Sequence, residues 1–168
     1  MPDITLILGN LCSLLAMGTD SISSAQKTTK KVLAYQNLSQ LIYATGTILL
    51  RGYSGAVQNF VSILRNLVAM RGIDHKWIQW LLAILGVVLG LAFNNLGLVG
   101  LLPVIANLQY TLVMFRYQNN ERALKLSFLV AVAMFSVFNL AIWNLVGCAT
   151  NLVLLVTILI FLLKKPEE

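Results

Sequence analysis

Two pairs of residues in this sequence have types and a spacing that suit the binding of a small solute. Gly55 is followed four residues later by Asn59, and Gly147 is followed by Asn151 at the same spacing. Residues four apart share one face of a helix, so each glycine would let a neighbouring helix approach one turn away from its asparagine. Two amides, each with donors and an acceptor, predict an uncharged site for a hydroxylated ligand. The alternative is that each asparagine bonds a neighbouring helix and only stabilises the bundle.

Three further residues stand out within apolar stretches. Asp20 and Arg65 carry opposite charges there, which indicates either an intramembrane pair, a proton-coupling element, or two independent side chains that extend toward the membrane surface. Trp143 lies at the expected outer end of a helix. It either faces a substrate or belongs to the belt of aromatic residues at the membrane surface.

The sequence contains few residues that could support catalysis, metal binding or a disulfide. The single histidine, His75, lies in a polar loop, and we expect Cys12 and Cys148 to be packing residues without a disulfide. The sequence offers no nucleophile beside a base and no cluster of metal ligands. We therefore expect no enzyme activity, no catalytic residue, no metal and no cofactor.

The composition predicts a membrane protein. Of the 168 residues, 58% are hydrophobic and 11% are charged, whereas about 25% are charged in an ordinary soluble domain. The net charge of +6 does not indicate nucleic acid, because the cations lie between apolar runs and form no basic stripe. The partner that this composition predicts is the lipid bilayer.

The apolar runs predict an all-α polytopic protein with seven transmembrane helices, since a helix needs about 20 residues to cross ~30 Å. The predicted spans are 4–23, 32–51, 54–71, 77–94, 96–115, 123–143 and 146–163. The span 32–51 is the most polar, and the count would fall to six if it lay at the membrane surface. The first apolar run has no cation ahead of it, so we expect it to stay in the mature protein.

The distribution of Lys and Arg predicts the orientation. With seven spans, Arg51 is alone on one side, and ten cations lie on the other. The ten are Lys27, Lys30, Lys31, Arg71, Lys76, Arg116, Arg122, Lys125, Lys164 and Lys165. Short loops rich in Lys and Arg are cytoplasmic. We predict an external N-terminus and a cytoplasmic C-terminus.

Scarce polar residues coincide when the chain is aligned with itself at an offset of 92 residues. Gln26 falls on Gln118, and the segment 55–59 falls on 147–151. Two copies of three helices and one linker helix give seven spans, with both copies in the same orientation. The predicted 3+1+3 layout has a first bundle in 1–72, a linker helix in 73–95 and a second bundle in 96–168.

The chain resembles the bacterial inner-membrane YgjV family over essentially its whole length. The resemblance rests on the runs LGN (8–10), SAQKTTK (24–30), LLRGYSGAVQN (49–59) and SILRN (62–66). It implies a multi-pass protein of the bacterial inner membrane. The 3+1+3 layout is similar to that of SWEET sugar transporters, PQ-loop proteins and PnuC nicotinamide riboside carriers. In SWEET-like proteins an asparagine on the third helix of each bundle lines the substrate site, and the resemblance carries that role over to Asn59 and Asn151.

The chain departs from these carriers in its prolines. The resemblance ties a rocking motion to prolines in the first helix of each bundle, but here only Pro103 lies in a membrane segment. We expect Pro103 to kink its helix and act as a hinge, with Gly9 and Gly18 loosening the first helix. PQ-loop proteins also carry Pro-Gln at the cytoplasmic end of that helix, where this chain has Ala25-Gln26.

Two functions follow from the sequence. The first is a carrier of a small, neutral, hydroxylated metabolite that alternates access by rocking one bundle against the other. The second is a non-transporting membrane protein that acts as a receptor, sensor or partner subunit. Gly86 and Gly90 form a face of small residues for helix packing or for a homo-oligomer. A polar cavity between Asn59 and Asn151 would favour the carrier, and a packed centre would favour the second function.

Overall fold

The computed structural model describes residues 3–73, 75–117 and 120–163. Within these ranges the chain forms seven α-helices and one short 3-10 turn, and it forms no strand. The helices are α1 (Ile4–Ser24), α2 (Thr29–Leu49), α3 (Tyr53–Met70), α4 (Lys76–Ala92), α5 (Leu102–Arg116), α6 (Glu121–Ala141) and α7 (Leu145–Leu163). The 3-10 turn, Val99–Leu101, directly precedes α5. The predicted all-α fold is confirmed.

Two stretches are long and apolar enough to span a membrane by length and composition. They are Ile4–Ser23 in α1 and Arg122–Ala141 in α6. Shorter apolar stretches are Lys76–Ala92, Val99–Val113 and Leu145–Ile160. Seven helices are therefore present, while the number that cross the membrane stays a prediction. Gln118, Lys164 and Lys165, which entered the offset alignment or the charge count, lie outside the described residues.

The most polar of the predicted spans forms one continuous helix. α2 runs over 21 residues and begins at Thr29, three residues before the predicted start. Its polar residues Ser39 and Thr47 are buried. Part of the polarity of α2 is therefore buried between helices, whereas Thr45 is exposed.

Polar side chains cap the first turns of α1 and α6. The Thr5 amide donates to the Asp3 carboxylate at 3.1 Å, and the Ala123 amide donates to the Asn120 side chain at 3.0 Å. Each bond satisfies a backbone N–H that has no partner within its helix. The bond from Thr5 also lowers the pKa of the Asp3 carboxyl, because it favours the charged form.

Helices in the two halves of the chain share bounds at an offset of 92 residues. α2 and α6 begin at residues 29 and 121 and end at 49 and 141, and α3 and α7 begin at 53 and 145. The turns between them share a backbone bond: Gly52 donates to Thr47, and Asn144 donates to Asn139, both at 2.8 Å. This bond is typical of the Schellman end of a helix. The two turns therefore have the same backbone structure.

The helices form a ring around a central space. Each helix packs against the next in sequence, α1 also contacts α7, and α3 contacts α5. These contacts close a ring of α1, α2, α3, α5, α6 and α7, and α4 packs outside it on α3 and α5. In this ring α3 and α7 lie on opposite sides.

The distribution of apolar and polar side chains between surface and interior is the reverse of that in soluble proteins. Large apolar side chains such as Ile4 and Val153 are exposed, at 71% and 68%. Many of the buried residues are small or polar, as are Ala44, Ser54 and Gln58. Small residues allow close helix contacts in a bilayer, where apolar side chains can face lipid.

The small-residue face of α4 is occupied within the chain. Gly86 lies against Gln58 and Val61 of α3. A Cβ atom on Gly90 would lie 2.5 Å from Val104 Cγ2 of α5 and 2.6 Å from Gln58 Nε2. Of the two roles predicted for this face, the structure provides packing within the chain, and a homo-oligomer stays a prediction.

Pro103 does not kink a helix interior. It is fully buried and lies in the first turn of α5, directly after the 3-10 turn. A proline there removes no helical hydrogen bond, because the amides of the first turn have no partner in the helix. The predicted interior kink is wrong, and the break in this segment is the junction between the 3-10 turn and α5.

Candidate solute-binding cavity

A cavity of about 440 Å³ lies inside the ring, and all six ring helices contribute to its wall. Five of the residues singled out in the sequence line it: Asp20, Gly55, Asn59, Arg65 and Asn151. The volume lies within the range of pockets that enclose small ligands. The fold thus brings two amides and two opposite charges to one cavity.

Asn59 and Asn151 reach this cavity from opposite sides of the ring, on α3 and α7. Both residues are half-buried. Neither side-chain amide forms a hydrogen bond to another residue in the described part of the chain, and neither is sealed away from the cavity. A purely structural role would require a bond to a neighbouring helix, so both amides are available to a ligand or to water.

Asp20 and Arg65 line the same cavity without forming a pair. The Asp20 carboxylate lies near the hydroxyls of Ser39 and Tyr43, and the Arg65 guanidinium lies near Tyr110. Among the described residues, no ion pair joins Asp20 to Arg65. They lie on α1 and α3, with α2 between these helices. Each charge therefore reaches the cavity from its own side.

The two halves of the chain contribute side chains of different polarity to the wall of the cavity. The first half contributes polar side chains at three positions of the wall: Gln40, Tyr43 and Ser62. The residues that follow these by 92 positions also line the cavity and are apolar: Val132, Phe135 and Leu154. Phe128 and Phe138 add to the apolar wall. At these positions the second half of the chain is the more apolar, although Asn139, Thr150 and Asn151 of α6 and α7 also line the cavity.

A buried amide pair connects the halves beside the cavity. Gln58 is fully buried, and its Nε2 atom donates to the Gly86 carbonyl of α4 at 2.8 Å. Asn107 Nδ2 of α5 donates to Gln58 Oε1 at 3.0 Å. The interpretation of the sequence missed both residues, although amides inside apolar helices are a usable signal.

A second cavity of about 320 Å³ lies between α3, α4 and α5. It shares Ser62, Arg65 and Asn107 with the central cavity. Arg65 therefore lies on the boundary between the two spaces.

The two glycines of the G-x-x-x-N pairs are points of close contact. A Cβ atom on Gly55 would lie 2.5 Å from a ring carbon of Phe138, which belongs to α6. A Cβ atom on Gly147 would lie 2.6 Å from Nδ2 of Asn144 and 3.0 Å from that of Asn139. Gly55 lines the cavity, whereas Gly147 packs away from it.

Trp143 lies in the turn between α6 and α7, with 66% of its surface exposed, and it is outside the cavity wall. Trp143 is therefore not part of this candidate site, and a contact with a substrate stays a prediction. Its backbone carbonyl accepts a hydrogen bond from Asn10 Nδ2 of α1 at 3.0 Å, and the Val146 amide donates to Asn10 Oδ1 at 3.0 Å. Asn10 thus joins α1 to the start of α7.

The described residues contain no group of three or more His, Cys, Asp or Glu that could hold a metal ion. Cys12 and Cys148 are free thiols. The polar groups of the cavity are thus amides, hydroxyls and the two charges of Asp20 and Arg65.

An apolar exterior, a helical ring and a polar central cavity define a helical membrane protein. The chain belongs to the YgjV family of bacterial inner membrane proteins, whose family model matches residues 7–166. The family resemblance noted in the sequence is confirmed. No curated protein and no solved structure matches the chain. The similarity to SWEET and PQ-loop proteins stays a prediction.

Proposed function

We propose that this inner membrane protein is a carrier, and that its solute is small, hydroxylated and without net charge. The observation that carries the proposal is the pair Asn59 and Asn151. These amides face one cavity from opposite helices and lack partners among the described residues. Such an arrangement suits a ligand that brings its own donors and acceptors.

The proposed carrier consists of two three-helix bundles joined by α4. The shared bounds of α2 and α6, and of α3 and α7, support this layout. The contacts between the halves support it too, because α1 with α7 and α5 with α3 are equivalent at the offset of 92 residues. We further propose an external N-terminus and a cytoplasmic C-terminus. Alkaline phosphatase fused after Glu168 should be inactive, and an active fusion would contradict this orientation.

The conformation fits a carrier that is closed on its outer side. Asn10 bonds to the turn after α6, and Asn95 Nδ2 donates to the Arg51 carbonyl in the turn after α2, at 2.7 Å. Both turns lie at the end of the ring that we assign to the outside.

A thermal-shift screen tests the proposal. Purified protein in detergent is screened against sugars, nucleosides and other hydroxylated metabolites. Asn59→Ala and Asn151→Ala should each weaken binding of a stabilising compound by about 1–3 kcal/mol, the loss of one buried polar partner. Asn66→Ala is the matched control, because Asn66 lies on α3 but outside the cavity. The proposal fails if no compound stabilises the wild type and both cavity variants only melt earlier.

A receptor, sensor or partner subunit is the second candidate. The position of Pro103 favours it, because no described helix has a proline in its interior to ease bending. Uptake into proteoliposomes separates the two functions. A compound that stabilises the protein and enters the vesicles supports the carrier, whereas binding without uptake supports the receptor.

A further inference from the structure

We propose that the ligand of the central cavity is a small zwitterion with an apolar side group. Its ammonium group would bind Asp20, its carboxylate would bind Arg65, and its apolar group would pack against α6 and α7. The inference rests on the proposed carrier and on a solute of no net charge at this site, and it replaces the hydroxyl groups of that solute with an ammonium and a carboxylate group.

The first argument is the state of the two charges. Asp20 and Arg65 line one cavity, and neither has an ion-pair partner among the described residues. A charge within a membrane protein is costly without a partner. A neutral alcohol would leave both charges unpaired, and a simple ion would leave one unpaired. A molecule that carries both charges provides a charge-assisted hydrogen bond to each.

The second argument is that the two charged residues lie at a similar depth along their helices. Asp20 lies four residues before the end of α1 at Ser24, and Arg65 lies five residues before the end of α3 at Met70. At 1.5 Å per residue, both are about 6–8 Å from the same end of the ring. One small molecule in the cavity can therefore lie level with both charges.

The third argument is the composition of the cavity wall that α6 and α7 form, across from the two charges. Phe128, Phe135 and Leu154 line the cavity from α6 and α7, beside the polar residues Asn139, Thr150 and Asn151 of the same helices. The ring of Phe128 packs on Tyr110 with centroids 5.8 Å apart, and Tyr110 lies near Arg65. A ligand held by its charged groups on α1 and α3 would thus direct its remaining atoms toward aromatic and aliphatic side chains. An aromatic or branched aliphatic side group would bury apolar surface there.

Five probes test this with the wild-type protein alone. L-phenylalanine carries all three features, phenethylamine lacks the carboxylate, 3-phenylpropionate lacks the ammonium group, glycine lacks the apolar group, and uridine is neutral and hydroxylated. Thermal-shift titration should show L-phenylalanine binding about tenfold or more tightly than any of the other four. The inference is overturned if phenethylamine or 3-phenylpropionate binds as tightly as L-phenylalanine, or if glycine does.

Substitutions of the two charged residues provide an independent test of the zwitterion. Asp20→Asn should reduce the advantage of L-phenylalanine over 3-phenylpropionate, and Arg65→Gln should reduce its advantage over phenethylamine. Asn66→Ala should leave both ratios unchanged. If uridine stabilises the protein in an Asn59-dependent way while L-phenylalanine does not, the zwitterion is wrong and the carrier stands. If neither these probes nor the wider screen produces a shift, both proposals fail.

Discussion

Arg51 and Trp143 share a left-handed backbone conformation, with φ of 59° and 60°, at positions 92 residues apart. Each carbonyl accepts a hydrogen bond from an asparagine side chain, Asn95 for Arg51 and Asn10 for Trp143. The left-handed conformation costs a residue with a side chain roughly 1–2 kcal/mol. Contacts to other helices and loops therefore hold two turns that their own residue types disfavour.

The first prediction concerns this backbone strain. Arg51→Gly should be more stable than Arg51→Ala by about 1 kcal/mol, since glycine adopts positive φ without a penalty. At the neighbouring Leu50, where φ is −86°, the order should reverse and alanine should be the more stable variant. Chemical unfolding in detergent measures both differences. Equal stability of the glycine and alanine variants at residue 51 would contradict the strained conformation.

The second prediction concerns the outer closure. Asn10→Ala removes the bonds to Trp143 and Val146 and should open the cavity toward the outside. The readout is a cysteine at Thr47, which lines the cavity, in a background that carries Cys12→Ala and Cys148→Ala. A membrane-impermeant maleimide added outside should label it several-fold faster after Asn10→Ala. An unchanged labelling rate would show that Asn10 does not hold this side closed.

The third prediction concerns the buried amide pair. Gln58→Leu leaves the Asn107 amide and the Gly86 carbonyl without their partner, which should lower the free energy of unfolding by about 1–3 kcal/mol. Gln40→Leu is the control, because Gln40 lines the cavity and should cost much less. Adding Asn107→Leu to Gln58→Leu should cost less than the sum of the single changes. Strict additivity would contradict the pair.

The fourth prediction concerns Asp20 and Arg65. Because they form no ion pair, Asp20→Asn and Arg65→Gln should have nearly additive effects on unfolding without ligand, within about 0.5 kcal/mol. A double-mutant cycle in detergent measures this. A coupling well above that value would mean that the two charges meet directly, and it would weaken the case for a zwitterion between them.

The sequence was sufficient to predict the parts of the fold that depend on composition and periodicity. The all-α class follows from long apolar runs separated by short polar loops. Amides and charges are rare within apolar helices, which is why Asn59, Asn151, Asp20 and Arg65 stand out in the sequence. These four residues line one cavity, whereas Gly147 and Trp143 do not. Their mutual arrangement was not predictable, since the lack of an ion pair depends on α2 lying between α1 and α3.

The features that the sequence did not predict depend on how helices pack. Gln58 and Asn107 are 49 positions apart in the chain, and periodicity does not reveal which helices meet. The sequence predicts Trp143 as the last residue of a helix, but it lies in a left-handed turn and does not line the cavity. Pro103 would lie inside α5 if that helix began at residue 96, but the helix begins at Leu102.

The bonds of Gln58 make the two sides of the ring mechanically unequal. α3, α4 and α5 are joined by one buried amide that bonds to both neighbouring helices. On the other side, α1 and α7 meet through Asn10 near the outer end and through a weak contact from the Thr150 hydroxyl to the Met17 sulfur. We therefore expect the contact between α1 and α7 to separate more readily than the joint that Gln58 forms among α3, α4 and α5. Asp20 lies on α1, so in such a motion it would move relative to that joint.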